Sequence, residues 1–371
     1  MHEINNNTSG GQLRVDNLIT TACPNKFWQG VIVDGDINQE QSSLKQGKLV
    51  ILDDGIIEHA RIGARVQGHN LDNGNLQDFA AGGIAQSSFG TFRNNLVDVQ
   101  FAPYDKKNTS FFNHTQFVTN NDYRGGTAQP PLHVFLDGVP NVRLMNSVYR
   151  DLRTDIYSAP DTRGVGIVAD NSNFSITGTS AFLNLFEGVR IGKTSALIGN
   201  SVVGATFGAC FTGIYSSDNH NYLFTDNDFN LQHPSNYNGP SGTVLKAIYM
   251  EGLTGALTVS GNNFVATDNN LTDYYIGTDA LAVTKKNNNI SDNYYEYLNI
   301  GNRANGLNAM GSAQIFSGLM YECNTYEGDL EHDHLIASGA FNQYNGSWQS
   351  SGEEEVGNNE VIFIFSSGVV L

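Results

Sequence analysis

The chain has 371 residues, with 40 Gly and only 8 Pro, and its 37 acidic against 20 basic residues leave a formal net charge of −17. That balance argues against nucleic acid or an anionic membrane as partner, while a hydrophobic share of 40% is enough for a folded body and too much for disorder. No apolar run reaches the length of a membrane-spanning helix, so no membrane insertion is expected.

The opening Met1-His-Glu-Ile-Asn5 is not a signal peptide. Residues 1 to 50 then supply a strand at Trp28-Gln-Gly30-Val-Ile-Val and another at Gly47-Lys-Leu-Val-Ile-Leu52, which reads as an entry and capping region. From about residue 51 one short phrase recurs: a small residue, a β-branched residue, two variable positions and a turn residue. Its copies include His133-Val-Phe-Leu-Asp137, Gly166-Ile-Val-Ala-Asp170, Gly188-Val-Arg-Ile-Gly192, Gly213-Ile-Tyr-Ser-Ser-Asp218 and Ala247-Ile-Tyr-Met-Glu251. A second run of the form apolar-x-x-Asn-x-apolar follows, as in Phe224-Thr-Asp-Asn227-Asp-Phe229, Val259-Ser-Gly-Asn262-Asn-Phe264, Ile290-Ser-Asp-Asn293-Tyr-Tyr295 and Tyr321-Glu-Cys-Asn324-Thr-Tyr326. Phe92-Arg-Asn-Asn95-Leu-Val97 and Phe112-Asn-His-Thr115-Gln-Phe117 read as earlier relatives.

Repetition of strand-and-turn units without a sustained helical period is the signature of a β-solenoid. The Asn slot has a physical reason. A turn Asn adopts the left-handed conformation and bonds to its counterpart one coil away, building a ladder. The expected fold is therefore all-β, a right-handed parallel β-helix over residues 51 to 330, with a less regular end of the same domain at 331 to 371. A solenoid grows in one dimension, so this length needs no second domain.

These repeats resemble the right-handed parallel β-helix superfamily, the pectin-lyase-like fold. The order Trp28-Gln-Gly30-Val31, Gly55-Ile-Ile-Glu58-His-Ala60 and Gly82-Gly83-Ile84 also resembles the start of β-helix regions in large secreted bacterial surface proteins, including those carried by type IX secretion. The resemblance implies an extracellular or cell-surface location. The apolar last residues, Gly368-Val-Val-Leu371, read as part of a larger polypeptide.

Chemistry-bearing residues fall into four groups. Aligning the repeats places Asp137, Asp170, Asp218 and Glu251 at one strand end, with Gly192 and Lys193 taking that place in the intervening coil, and neighbouring coils lie about 4.8 Å apart. Stacked carboxylates repel unless a cation intervenes, so this edge is a candidate for binding calcium or a sugar. Against this, Asp also ends strands well and faces water there.

The second group lies in an inserted loop. Arg150, Asp151, Arg153, Asp155, Asp161 and Arg163 supply the residue types of a calcium-dependent polysaccharide lyase, carboxylates for the cation and an Arg as base. No lyase motif lays onto them residue by residue, and a solvated loop with compensating ion pairs is the plain alternative. The polygalacturonase motifs also fail, because Asp53-Asp54, Gly68-His69-Asn70 and Arg190-Ile-Gly-Lys193 have the wrong order and spacing.

In the third group, His332 and His334 alternate along a strand and point to one side, as a transition-metal pair would, although no third ligand is evident. The fourth is aromatic. Tyr215, Tyr222, Tyr249, Tyr274, Tyr275, Tyr294, Tyr295, Tyr297, Tyr321 and Tyr326 crowd the later coils, either stacked in the core or exposed as a row for sugar rings. The three cysteines supply no disulfide framework, and Cys210 and Cys323 read as small buried residues of repeat strands.

The leading expectation is a non-catalytic module of a secreted or cell-surface protein for adhesion, display or contact with a polysaccharide or cell-surface glycan. A lyase or hydrolase acting on an acidic glycan is the alternative. A trimeric phage-type tail spike comes last, because no trimer seam is visible.

Overall fold

The computed structural model describes residues 2–4, 11–42, 46–67, 81–192, 198–217, 220–234, 236–253, 255–267, 273–283, 288–305, 319–328, 330, 332–337, 348–349 and 361–363. The chain forms two compact units, Met1–Val189 and Arg190–Leu371. Each is wound from coils of three short strands, and the equivalent strands of successive coils pair in parallel to make three sheets. The fold is a right-handed parallel β-helix.

In the first unit, the first sheet contains His2–Ile4, Val31–Val33, Ile62–Val66, Val97–Phe101, Leu132–Asp137 and Val165–Asp170. Its second sheet runs from Gln12–Asp16 to Phe174–Thr177 and its third from Ile19–Thr20 to Ala181–Leu183. In the second unit, the first sheet includes Thr212–Ser217, Val244–Glu251, Tyr274–Leu281, Ile300–Asn305 and His332–Ala337. The second sheet there includes Ile198–Val203, His220–Thr225, Leu257–Ser260, Asn288–Ser291 and Leu319–Glu322. The third includes Asp228–Leu231, Asn263–Ala266, Tyr294–Glu296 and Thr325–Glu327.

The small residue of the repeat has a steric cause. It occupies a register column facing the aromatic ring of the same coil's third strand. A Cβ at Gly166, Gly213, Gly277 or Gly301 would lie 2.8, 2.7, 2.6 or 2.7 Å from a ring carbon of Phe182, Phe229, Tyr295 or Tyr326. Those rings stack along the core. Phe92, Phe117, Tyr149 and Phe182 follow one another at 5.4, 4.7 and 4.6 Å in the first unit. Phe207, Phe229, Phe264, Tyr295 and Tyr326 do so at 4.7, 5.0, 4.8 and 5.0 Å in the second. Of the tyrosines singled out in the sequence, Tyr222, Tyr275, Tyr295 and Tyr321 are therefore core residues, whereas Tyr274 and Tyr297 are exposed.

The asparagine ladder forms, with a correction. Asn227 Nδ2 donates to Asn262 Oδ1, Asn262 Nδ2 to Asn293 Oδ1 and Asn293 Nδ2 to Asn324 Oδ1, at 2.9, 2.9 and 3.0 Å. The left-handed residue is the one before each Asn: Asp226, Gly261, Asp292 and Cys323 have φ of 57°, 68°, 55° and 51°. The first unit builds the same corner from hydroxyls, where Thr115 N donates to Ser147 Oγ and Ser147 N to Ser180 Oγ, each at 3.3 Å. Asn95 sits elsewhere, at the corner between the third and first sheets, where its amide donates to Asp98 and to the Ile57 carbonyl. Cys210 is buried as expected, but Cys323 is exposed in its turn.

Candidate functional site

The inserted loop of the first unit brings most of the proposed catalytic residues together, and uses them on one another. Asp151 ends the third-sheet strand Val148–Asp151 and is only 2% exposed. Arg153 grips it through Nε at 2.9 Å and Nη2 at 2.5 Å, and Arg163 Nη1 lies 3.3 Å from its other oxygen. Both arginines also donate to the loop backbone, Arg153 to the Thr162 carbonyl and Arg163 to that of Asp155. Aromatic faces cover them: Arg163 lies 3.9 Å above the Tyr157 ring and Arg153 5.3 Å above Tyr123. Burial alone would lower the Arg153 guanidinium, but its bonds to Asp151 outweigh this and hold it above its ordinary value.

Asp155 reaches Arg163 at 3.3 Å from a half-exposed position, and Asp161 is exposed in the short 3-10 turn Pro160–Arg163. Arg150 stands apart on the third sheet, in register with Val118 and Leu183. The cluster is thus an internally neutralised clamp that fixes the loop.

The proposed carboxylate edge divides. Asp137 and Asp170 do face each other across neighbouring strands of the first unit. In the second unit Glu251 is opposite Ser217, one place off the expected Asp218, and its carboxylate accepts a 3.0 Å hydrogen bond from Tyr215 Oη. Asp218 itself lies outside the described residues. The expected alignment is off by one because Gly213-Ile-Tyr-Ser-Ser217-Asp218 has one residue more before its acidic residue than Ala247-Ile-Tyr-Met-Glu251. In the last described coils His334 Nε2 lies 2.9 Å from Tyr326 Oη, and His332, two places earlier on the same strand, is in register with Ile300. Among the described residues no group of three His, Cys, Asp or Glu is placed to hold a metal ion.

Two arrangements escaped sequence reasoning. In the first unit Asp98 and His133 form a buried pair at 2.7 Å, in the column that neighbouring coils fill with Gly63 and Gly166. Burial raises the Asp98 carboxyl, with His133 and Asn95 pulling against it. The only sequence signal is the charged residue inside Val97-Asp98-Val99.

The other arrangement lies on the outward face of the second unit's first sheet. Tyr215, Tyr249, Asp279 and Arg303 occupy one register column. Asp279 is 1% exposed and anchors the row, taking Lys246 Nζ at 2.6 Å and Arg303 through Nε at 2.8 Å and Nη2 at 2.6 Å. Burial would raise its carboxyl, but the Arg303 and Lys246 cations win and hold it below the usual carboxylate range. Lys246 Nζ lies 3.7 Å over the Tyr249 ring, the Tyr215 and Tyr249 rings are 5.4 Å apart, and the Arg190 guanidinium is 5.9 Å from Tyr215. Burial and the nearby Glu251 and Asp279 charges push the Tyr249 phenol up to about 12, so it stays a neutral donor. Its parts lie one coil apart, and sequence spacing alone does not bring them together.

No family model, no curated protein and no solved structure matches the chain.

Proposed function

We propose that the chain is a non-catalytic β-helix module of a secreted or cell-surface protein, serving adhesion or display, and that it contacts glycans through the row of Tyr215, Tyr249, Lys246 and Arg303. The observation that carries this reading is the preorganised outward row. A buried Asp279 holds two cationic heads at the surface beside two half-buried neutral phenols. Amphipathic rings with polar tips suit sugar faces and hydroxyls, and a site already ordered loses little entropy on binding. The likeness of the repeats to pectin-lyase-like and secreted surface β-helices supports the extracellular setting.

The lyase alternative requires a base free to take a proton within reach of substrate. Arg153 and Arg163 are instead committed to Asp151 and to backbone carbonyls, which favours the module.

The test is a glycan array on the purified chain, followed by assays of any bound polymer for new reducing ends and unsaturated uronate absorbance. Binding without cleavage, weakened at least tenfold by Tyr249→Ala, is expected. Cleavage lost in Asp155→Ala would replace the module with an enzyme, and binding unaffected by Tyr249→Ala would remove the row as the contact.

A further inference from the structure

One interior register column of the second unit changes character along its length. It holds Ile214 and Ile248, then Thr278, Asn302 and His334. The polar members and two ladder tyrosines form a continuous hydrogen-bonded chain. Thr278 Oγ1 donates to Asn302 Oδ1, and Tyr295 Oη donates to the same oxygen at 2.9 Å. Asn302 Nδ2 donates to Tyr326 Oη at 2.6 Å, and Tyr326 Oη lies 2.9 Å from His334 Nε2.

The chain has a direction. Asn302 Nδ2 can only donate to the Tyr326 oxygen, which leaves His334 Nε2 as the partner to accept from the phenol O–H, and this assigns the neutral imidazole's proton to Nδ1. Thr278 and Asn302 are no more than 1% exposed, so water does not replace a lost partner there. A buried chain of this kind stabilises when every member is satisfied and is costly when one is not.

We propose that His334 is an acid-responsive latch: a proton on Nε2 removes the terminal acceptor, unseats the Tyr326 hydroxyl, and loosens the strands that carry Thr278, Asn302 and His334. The groups around it are consistent with this role. Tyr321 and Tyr326 present ring edges, each with its centroid 5.1 Å from the imidazole, and burial raises both phenols, so neither supplies a negative charge. In the adjacent strand Arg303 is already paired with Asp279.

Burial lowers His334 from an ordinary value of 6.5 to about 4. A histidine depressed on folding contributes stability that is full above its unfolded value and is lost as pH falls towards the folded one. The window is therefore about pH 6.5 down to about 4. Asp333 acts in the opposite sense. Burial raises it to about 6, with His332 opposing, so its contribution is present in acid and lost as pH rises. A variant that changes only His334 separates the two.

The experiment is hydrogen exchange on the full chain, corrected for intrinsic rates, comparing amides of 332–337 and 300–305 between pH 7 and pH 4.5. The His334 contribution alone raises their opening equilibrium by up to about a hundredfold in acid, read as the change in the parent divided by the change in His334→Gln. The Gln amide oxygen accepts from Tyr326 without titrating, and in that variant Asp333 alone should lower the opening of 332–337 in acid. Equal changes with pH in the parent and in His334→Gln overturn the latch. Tyr326→Phe keeps the ring stack, since Phe207, Phe229 and Phe264 fill the same ladder, but cuts the chain. There 332–337 should keep the parent's pH dependence while 300–305 no longer follows it. If 300–305 follows as before, transmission through Tyr326 is wrong, and that comparison decides the matter even where His334→Gln fails to fold.

Discussion

Single residues are decided here by what lies one coil away. Gly277 is required because a Cβ would meet both the Gly301 carbonyl and Tyr295 at 2.6 Å. Gly277→Ala should cost about 1–3 kcal/mol through overpacking, measured as a shift in urea midpoint without a change in slope. An unchanged midpoint would mean that the ring stack gives way freely. Asp151 makes the same point for charge. With two guanidiniums gathered on a buried carboxylate, Asp151→Ala leaves them uncompensated and should cost about 3–5 kcal/mol. The half-exposed Asp155→Ala should cost under about 1 kcal/mol. If the order of these two reverses in chemical denaturation, the clamp has been misread.

At the scale of the element, what repeats is a corner rather than a strand. Asn262 and Asn293 each receive both a backbone and a side-chain N–H from the coil before and return their own amide to the next. Asn262→Ala interrupts this in the middle, taking the acceptor from the Asn227 backbone and side-chain N–H and one of the two donors from Asn293, and should cost about 2 kcal/mol. Asn262→Ser should be milder, because Ser147 and Ser180 close the same corner in the first unit. Thermal melts of the pair test this, and equal losses would show that the amide contributes nothing beyond a hydroxyl.

The same corner explains what a sequence reader can and cannot see. The recurring Asn and the small residue before Ile were visible because a stacked core demands them in every coil. The left-handed position was misplaced by one, since Asp226, Gly261, Asp292 and Cys323 share a backbone conformation but no side-chain chemistry. Asn95 was assigned to the wrong corner because two corners per coil use similar residues. Of the candidate sites, the clamp at 151–163 was legible as charge within a dozen residues. The Asp98–His133 pair and the Lys246–Asp279–Arg303 group were not, because each joins residues 24 to 35 positions apart in the chain.

For the whole molecule the deciding quantity is a net charge of −17 on 371 residues. Self-repulsion among surface carboxylates opposes the compact state, whereas Asp151 and Asp279 are buried with their partners and lie beyond the reach of most screening. Raising sodium chloride from about 10 mM to about 200 mM should therefore raise the melting temperature, because the repulsive surface term is screened and the buried pairs are spared. Calcium offers a sharper test, since a calcium site gathers about six to eight oxygens. Asp137 and Asp170 bring two carboxylates into register, and no third acidic group joins them among the described residues. Millimolar calcium should then raise the melting temperature no more than magnesium at equal ionic strength. A rise specific to calcium and reversed by chelator would reveal a cation site through binding linkage, and Asp170→Asn would show whether that edge supplies it.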